Sequence, residues 1–415
     1  MTRRETTQST ILIAGGGPVG LTVAALLLTD ARAAENTTVR VLESLPGISW
    51  DPGVADLRVY ALSRASQRIL ESLGLWQTIH DRRASAYRRM RVWEGDGPDA
   101  RASVDFASAD IGEPDLGHIV EDSLLRHTVF EFVAQFTNAR VTFGATVESV
   151  RSIPRGIETR LSDGETIEAS LVIAADGGAS RVRSLLGLPV ADCDPEQSAL
   201  VAHVASEAPH AETALQRFLP TGPLAFLPLA DGRSSIVWSM PAAEADRLMA
   251  LSDAEFIEAL QAASGNVLGG LGPISVRTRF ALQTAHAHRY CVPGAVLAGD
   301  AAHSVHPLAG QGMNMGLLDA ACLAEELGRA RARGDGFGDL AVLRRYERRR
   351  KGENLKMMLA FDALDRLFRL TGWAAPLRAF GLGTVDSSRV AKRLLMRRAL
   401  GLEYSIPRPA RRRAA

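Results

Sequence analysis

The fold of this chain can be predicted from the segment TILIAGGGPVGLTVAALLL, residues 10–28. Its 19 residues carry no charge, and a run of that length could be taken for a membrane span or a signal peptide. Four glycines and one proline between residues 15 and 20 would break such a helix in its first half. The stretch instead predicts a buried strand from Thr10 to Ala14, a glycine turn, and a helix from Val19 to about Thr29. No other stretch approaches 18 uninterrupted apolar residues, so we expect no membrane-spanning segment.

The turn in this stretch, GGGPVG at residues 15–20, fits the pattern G-x-G-x-x-G between a strand and a helix. Glycine permits the tight turn and lets a pyrophosphate reach the amides at the helix N-terminus, where the dipole favours negative charge. TVRVLE, residues 38–43, predicts the second strand of a βαβ unit. Glu43 ends that strand 23 residues after Gly20, close to the spacing of about 20 at which an acid binds ribose hydroxyls. An acid rather than an arginine here predicts FAD or NAD and disfavours NADP.

Two later segments also follow predicted strands. DGGASRVR, residues 176–183, has a plain interpretation as a turn with a helix N-cap. The segments LAGDAAH, residues 297–303, and PLAGQGMN, residues 307–314, are less ordinary. They place Asp300 at the end of a strand, where it can bind a polyol hydroxyl, and a glycine-rich turn before a helix. Amides at that helix start can face an electron-rich ring.

Length and composition set the domain organisation. The 415 residues exceed what one core usually organises, and the 46% hydrophobic and 23% charged residues exclude disordered, collagen-like and disulfide-scaffold classes. Short strands are predicted over 141–175 and strands of one antiparallel sheet over 200–240, and from 316 onward the chain is predicted to be mainly helical. We therefore expect a discontinuous cofactor domain with a sheet-rich insert.

The net charge of +1 hides an asymmetry. Residues 376–415 hold ten basic and two acidic residues, whereas the first 375 hold 38 basic and 45 acidic ones. The basic tail suits an anionic surface, and we expect no nucleic-acid partner. Three widely spaced cysteines, Cys193, Cys291 and Cys322, form no CxxC pair and indicate a reducing compartment. We expect a cytoplasmic protein that can sit at the inner face of the membrane.

The three motifs, in this order, resemble those of the class A flavoprotein monooxygenases of the para-hydroxybenzoate hydroxylase type. More narrowly, the chain is similar to the ubiquinone-biosynthesis hydroxylase branch from about residue 11 to residue 401. The segments that carry this resemblance are DLRVYALS (56–63), LGLW (73–76), QRF (216–218), GPLAFLP (222–228) and HPLAGQGMN (306–314).

The resemblance implies an α/β fold: an FAD-binding Rossmann-like domain, an inserted mainly antiparallel β substrate domain, and a C-terminal helical region. The expected FAD-binding domain comprises 1–75 with 110–190 and 290–375. The substrate domain comprises 76–109 with 191–289, and 376–415 form a basic helix and tail. Within the tail, apolar and basic residues over 377–400 predict one amphipathic helix. That helix either packs on the core or rests on anionic lipid or a partner protein.

The resemblance also implies the chemistry. Reduced FAD would react with O2 to give a C4a-hydroperoxide, which attacks an electron-rich ring, and NAD(P)H would be the transient electron donor. The expected reaction is hydroxylation of a polyprenyl-phenol in ubiquinone biosynthesis. The expected cofactor-binding residues are Gly15, Gly17, Pro18, Val19, Gly20, Glu43, Arg58, Asp176, Gly177, Asp300, Gly310, Gln311, Gly312, Met313 and Asn314.

Few conventional catalytic side chains are expected. His306, next to Pro307, is the candidate base for a phenol, and these two are the candidate catalytic residues. His303 is expected either to have a role near the flavin or simply to hydrogen-bond within its loop, rather than to bind a metal, since no carboxylate pair or third histidine stands nearby in the sequence. Arg58 is expected near the flavin or the substrate channel, with a surface salt bridge as the alternative, and Asp122 is assigned no cofactor role. Of the sheet aromatics Phe218, Phe226 and Trp238, two are expected in the core and one in the substrate wall.

Other functions are ranked lower. The missing second G-x-G-x-x-G disfavours the disulfide reductases, and the missing Trp-x-Trp-x-Ile-Pro segment disfavours the flavin-dependent halogenases. A tailoring hydroxylase that acts on a soluble pigment or antibiotic precursor is the first alternative. A flavin-fold protein that only carries a prenyl group is the second. It could dispense with the turn over 310–314, which is intact in this chain.

Overall fold

The computed structural model describes residues 8–95, 102–193, 197–305, 310–370, 374–402 and 406–412. Its α-helices are α1 (Pro18–Thr29), α2 (Ala31–Ala34), α3 (Arg64–Ser72), α4 (Trp76–Arg83), α5 (Asp122–Val133), α6 (Arg181–Leu185), α7 (Ala242–Met249), α8 (Asp253–Ser264), α9 (Gln311–Arg333), α10 (Leu340–Arg369), α11 (Ala374–Ser387) and α12 (Arg389–Ala399). Its strands are β1 (Ser9–Ala14), β2 (Thr37–Glu43), β3 (Val59–Leu62), β4 (Ser85–Tyr87), β5 (Arg89–Glu94), β6 (Ala102–Ala107), β7 (Gly117–Glu121), β8 (Ala139–Phe143), β9 (Val147–Ile153), β10 (Gly156–Leu161), β11 (Thr166–Ala169), β12 (Leu171–Ala174), β13 (Val190–Cys193), β14 (Gln197–Ser206), β15 (Thr213–Leu219), β16 (Gly222–Pro228), β17 (Ser234–Pro241), β18 (Leu271–Ile274), β19 (Thr278–Ala281), β20 (Thr284–Ala287), β21 (Cys291–Val292), β22 (Ala295–Leu297) and β23 (His303–Ser304).

Six strands form a sheet in the order β21-β22-β12-β1-β2-β8, and all neighbours from β22 to β8 run parallel. β1 lies inside this sheet, with Ile11 opposite Leu171 of β12 on one side and Val39 of β2 on the other. These three side chains are buried, as expected for parallel strands covered on both faces. The βαβ unit predicted from the first glycine motif is confirmed.

Eight strands form a second sheet in the order β18-β14-β17-β16-β15-β5-β6, with β19 also paired to β14. Its neighbours run antiparallel except β15 and β5, which run parallel. The strands β14 to β19 lie in the chain between β12 and β22 of the first sheet, so the predicted antiparallel insert is confirmed. The remaining strands form three smaller sheets, with the orders β3-β7-β4, β11-β10-β9 and β13-β20-β23.

Helices α1 and α9 touch at a point where only glycine fits. A Cβ on Gly316 of α9 would lie 2.6 Å from Cγ2 of Val19 in α1, and a Cβ on Gly299 would lie 3.1 Å from the same atom. A Cβ on Gly20 would lie 2.0 Å from the carbonyl oxygen of Gly15. These close approaches bring the first turns of α1 and α9 to the same edge of the six-stranded sheet.

The C-terminal region differs from the single helix predicted over 377–400. Two helices, α11 and α12, separate at Ser388, whose hydroxyl accepts a hydrogen bond from Ala391 N at 3.3 Å and caps α12. That prediction is wrong because a capping serine restarts the helix, and apolar periodicity does not register such a break. The C-terminal region contacts β6, because Asp386 of α11 accepts a hydrogen bond from Asp105 N at 3.1 Å. Within the described part of the chain, no helix is long and apolar enough to cross a membrane.

Candidate active site

A cavity of about 1050 Å³ opens beside the carboxyl ends of the strands in the six-stranded sheet. Because β1, β2, β12 and β22 run parallel, these ends meet at one edge of the sheet, where open α/β sheets bind their ligands. The residues at or just after the four ends, Gly15, Glu43, Asp176 and Asp300, all line the cavity. The three motifs predicted from the sequence therefore meet in one place.

Most of the predicted cofactor-binding residues line this cavity, whereas Gly20 and Asn314 lie behind its wall. The lining members are Gly15, Gly17, Pro18, Val19, Glu43, Arg58, Asp176, Gly177, Asp300, Gly310, Gln311, Gly312 and Met313.

The first glycine motif forms a cradle for an anion. Gly15 has a φ of +110°, and a Cβ there would lie 2.1 Å from the carbonyl oxygen of Ala175, so only glycine fits. α1 begins at Pro18, and its N-cap Gly17 has no side chain to bind the free amides of the first turn. These amides and the positive end of the helix dipole are available to a pyrophosphate.

Glu43 meets a partner that the sequence did not reveal. It is 6% exposed, and its Oε1 accepts a hydrogen bond from Leu45 N at 2.9 Å. Its Oε2 accepts one from Nη2 of Arg126 in α5 at 3.1 Å, and Arg126 also donates to the carbonyl oxygen of Gly16. Arg126 lines the cavity and adds a cation beside the cradle. Helical periodicity marks it only as one basic residue on an amphipathic helix, so no signal singled it out.

Arg58 stands in a group of charged side chains on the cavity wall. Its guanidinium lies 5.6 Å from the centroid of the Tyr60 ring, and the Tyr60 hydroxyl donates to Oδ1 of Asp122 at 2.7 Å. Tyr60, and less strongly Asp122 and Asp300, raise the pKa of Arg58, although burial lowers it. Asp122, which received no cofactor role from the sequence, also lines the cavity.

The second motif is packed onto the third. The carboxylate of Asp176 accepts hydrogen bonds from the Ser180 hydroxyl and, at 3.1 Å, from Val182 N, which completes the N-terminus of α6. Arg183 of α6 donates from Nη1 to the carbonyl oxygen of Ala301 at 3.0 Å. Ser180 is the N-cap of α6 and accepts a hydrogen bond from Arg183 N at 3.0 Å, so the N-cap interpretation of this motif is confirmed. The Arg183 side chain then links α6 to the segment that carries Asp300.

Asp300 is exposed to the cavity although it lies deep in the molecule. Burial raises the pKa of its carboxyl, whereas His303 and Arg58 lower it. Its Oδ1 lies 4.0 Å from the position that a Cβ of Gly312 would occupy, so it stands beside the start of α9. A carboxylate here can accept hydrogen bonds from a polyol chain.

The start of α9 presents free amides to the same cavity. Gly310, its N-cap, has a φ of +62° and no side chain to bind them. Asn314 stabilises this turn from outside the cavity. Its Oδ1 accepts a hydrogen bond from Ser63 N at 2.8 Å, and its Nδ2 donates one to the carbonyl oxygen of Ala61 at 2.9 Å. The cradle, the acid at the end of β2, Asp300 and the positive end of α9 together fit FAD.

His303 belongs to a buried polar cluster with Asp319 and Arg350. Its Nε2 lies 2.5 Å from Oδ2 of Asp319, which has no exposure. Burial raises the pKa of Asp319, but His303 and Arg350 outweigh it and hold that pKa well below its usual range. No group of three or more His, Cys, Asp or Glu that could hold a metal ion occurs in the parts of the chain that the structure describes. The candidate catalytic residues His306 and Pro307 lie outside the described residues.

The eight-stranded sheet supplies an apolar wall opposite the motifs. None of the described residues that its strands contribute to the cavity is charged. Phe226 and Trp238 alternate to the other face, where they join the core, and Phe218 stacks on Phe368 of α10 with ring centroids 3.7 Å apart. The prediction that one of these three aromatics lines the substrate wall is therefore wrong. The lining residues of the strands are Met90, Phe106, Ala199, Val201, Ala214, Leu215, Gln216, Ala225, Leu227, Val237, Phe280 and Ala281.

Helix α12 and the residue after it complete the apolar wall. Leu395, Met396, Ala399 and Leu400 line the cavity, and Met396 and Leu400 are buried. The sequence predicted a helix packed on the core or resting on a membrane, without a place in the cavity wall. Apolar periodicity identifies the face that is buried, but it does not identify what the face covers.

Comparison with known proteins finds relatives over nearly the whole chain. The FAD binding domain family matches residues 8–358. Ubiquinone hydroxylase UbiL of Rhodospirillum rubrum is 36% identical over 404 residues, which cover 97% of this chain and 91% of that protein. The 3-demethoxyubiquinol 3-hydroxylase of Escherichia coli is 33% identical over 395 residues, which cover 94% and 98%. Among solved structures, p-nitrophenol 4-monooxygenase PnpA from Pseudomonas putida DLL-E4 has the same fold, with a TM-score of 0.77 at 20% identity over 94% of this chain and 96% of that one.

Proposed function

The chain belongs to the FAD binding domain family and is an FAD-dependent aromatic-ring monooxygenase, and from that premise we infer its substrate. We propose that it hydroxylates the ring of a polyprenyl-phenol intermediate in ubiquinone biosynthesis, with O2 and with reducing equivalents from NAD(P)H. The observation that carries this proposal is the uncharged, apolar wall that faces the cofactor motifs. Two relatives support it, since they are named ubiquinone hydroxylase and 3-demethoxyubiquinol 3-hydroxylase.

The residues of the chain bind and orient, while bound FAD supplies the oxygen chemistry. The α1 cradle, Glu43 and Arg126 would hold the ADP half, and Asp300 would hold the polyol chain. The free amides at the start of α9 would stabilise negative charge on the reduced ring. The apolar wall would exclude water, which protects reactive intermediates from side reactions.

The charge distribution of the cavity favours a neutral substrate. Its charged members, such as Arg58, Arg126 and Asp300, all lie near the cofactor motifs. A ring carboxylate placed against the eight-stranded sheet would lose its hydration without gaining a cation, and such a burial is costly. An uncharged phenol with a hydrocarbon tail would instead bury apolar area against alanine, valine and leucine side chains.

Two measurements test this function. Deleting the gene should cause a prenylated phenol that lacks one ring hydroxyl to accumulate, as identified by mass spectrometry. In vitro, the holoenzyme supplied with that phenol, NADH or NADPH and ¹⁸O₂ should place one ¹⁸O on the ring. An intact quinone pool in the deletion strain would show that the substrate belongs to another pathway.

We further propose that the enzyme rests on an anionic membrane through a C-terminal apolar surface on α10, α11 and α12. Nine of the fourteen large apolar side chains that are exposed among the described residues lie on these helices or directly after α10, and the name C-terminal apolar surface refers to this set: Leu355, Leu359, Leu364, Leu367, Leu370, Phe380, Val390, Leu394 and Leu395. Exposed arginines of α12, including Arg389, Arg393 and Arg397, accompany it and suit anionic headgroups. Leu395 belongs both to this surface and to the cavity wall, so the surface adjoins the substrate site.

Vesicle flotation tests the membrane contact without removing α12, since truncation would open the cavity. The wild type should float with phosphatidylglycerol vesicles and less with phosphatidylcholine vesicles. Replacing Phe380, Val390 and Leu394 with serine should reduce flotation several-fold. The matched control replaces Val54 and Val276, exposed elsewhere, with serine and should float like the wild type. Equal flotation of the triple variant and the wild type would rule out this surface.

A further inference from the structure

We propose that Gln216 recognises the oxygen substituent of the substrate ring by hydrogen bonding from the apolar wall. The proposal rests on the proposed function and deepens it, because it names the group that orients the ring and the kind of substituent that it accepts. Gln216 is the only polar residue among the described residues that the strands of the eight-stranded sheet contribute to the cavity.

The register of the sheet places Gln216 among small and apolar neighbours. It lies opposite Ala225 of β16 on one side and Val92 of β5 on the other. Ala225 in turn lies opposite Val237 of β17, and Val237 lies opposite Val201 of β14. These register partners therefore form a row across the wall in which Gln216 has the one amide side chain. The alanine beside the amide leaves room for a ring to approach.

The amide of Gln216 lacks a partner within the part of the protein that the structure describes. The residue is 6% exposed, its side chain lines the cavity, and no described residue hydrogen-bonds to it. Its amide atoms are not sealed from the cavity, so a group of a bound ligand can become their hydrogen-bond partner. A phenolic hydroxyl both donates and accepts, and a primary amide offers a donor and an acceptor to match it.

The neighbouring polar residue of β15, Arg217, has a different structural role from Gln216. Period-two alternation turns Arg217 to the opposite face, where Nη1 donates to the carbonyl oxygen of Ala263 at 2.9 Å, next to the end of α8. Arg217 thus satisfies a helix end, whereas Gln216 has no such structural bond to make. The different surroundings of the two side chains assign the ligand-facing role to Gln216.

Binding to the oxidised holoenzyme tests the proposal, with perturbation of the flavin absorbance as the readout. The probes are 2-prenylphenol, which has a hydroxyl, and prenylbenzene, which lacks it. Gln216→Met keeps the length of the side chain and removes the amide. We expect this variant to bind 2-prenylphenol about tenfold more weakly than the wild type does, the loss of roughly one hydrogen bond, and to bind prenylbenzene equally well. Gln216→Leu should bind the two probes in the same way as Gln216→Met. The matched control is Gln261→Leu on α8, which lies outside the cavity and should bind both probes like the wild type.

Each result decides the proposal, provided that FAD content and thermal melting show a folded holoenzyme. Equal affinity of the wild type and both Gln216 variants for 2-prenylphenol would overturn the role of Gln216 and leave the proposed function standing. Parallel losses for both probes would mean that Gln216 only shapes the wall, which also overturns it. If the wild-type holoenzyme binds neither probe, the proposed substrate class is wrong and the role of Gln216 fails with it.

Discussion

Nε of Arg350 donates a hydrogen bond to Oδ1 of Asp319 at 2.6 Å, and both side chains are buried. The other carboxylate oxygen accepts from Nε2 of His303 and, at 3.2 Å, from the backbone amide of Gly299. This pair joins α10 to α9 and holds the backbone just before Asp300. The ion pair between α10 and α9 therefore helps to fix the backbone of the third motif next to Asp300.

Removing Arg350 should be costly for stability. Arg350→Met leaves the Asp319 carboxylate buried without its guanidinium, and breaking a buried pair from one side costs about 3–5 kcal/mol. Urea unfolding should show a loss of that order. Arg151→Met removes an exposed pair with Glu158 and should cost below about 1 kcal/mol. Similar losses for both variants would mean that the buried pair contributes no more than a surface pair.

Two glycines of the first motif should respond differently to alanine. Gly15→Ala forces a Cβ to within 2.1 Å of the Ala175 carbonyl oxygen at a φ of +110°, so we expect a loss of roughly 1–3 kcal/mol in the apoprotein. Gly17→Ala meets nothing within 4 Å and should leave the stability of the apoprotein nearly unchanged. Thermal unfolding after removal of FAD separates this effect from cofactor binding. A stable Gly15→Ala apoprotein would contradict the close approach.

Arg126 should matter for the cofactor although no sequence motif includes it. Arg126→Met removes the cation beside Glu43 and the diphosphate cradle, and a hydrogen bond to a charged group contributes about 1.5–3 kcal/mol. We expect the Kd for FAD to rise at least tenfold, as followed by the quenching of flavin fluorescence. Arg82→Met, on the surface beside Glu131, is the control and should keep the wild-type Kd. If both variants bind FAD like the wild type, Arg126 does not contact the cofactor.

Buried His203 should make stability depend on pH. It is 1% exposed, and burial, together with Arg233, lowers its pKa to about 4, below the value of about 6.5 in an unfolded chain. Between these values the unfolded state binds more protons, so the free energy of unfolding falls as the pH drops from 6.5 toward 4 and is fully restored above 6.5. His203→Leu should make this decline shallower in urea unfolding at pH 4.5–7.

A second histidine provides an internal check on this pH dependence. Burial, and less strongly His80, lower the pKa of His118 to about 4, so His118→Leu should flatten the decline in the same direction. Curves that stay parallel to the wild type in both variants would show that neither imidazole is held neutral by the fold.

The parts of the molecule that depend on neighbouring residues could be predicted from the amino-acid sequence. The strand, glycine turn and helix over residues 10–28, Glu43 at the end of β2, and the turn before α9 all follow from local backbone preferences and fixed spacing. Parallel strands then bring these ends to one edge, so the cofactor cavity could be predicted as a consequence.

The contacts of the remaining side chains depend on the tertiary structure and could not be predicted from the sequence. Arg126 reaches Glu43 across 83 residues, Asn314 lies behind the wall rather than in it, and α12 closes the cavity from the far end of the chain. Alternation places Gln216 and Arg217 on opposite faces of a strand, but it does not say which face borders a cavity. That choice depends on how elements distant in the sequence pack against each other, and no local preference encodes it.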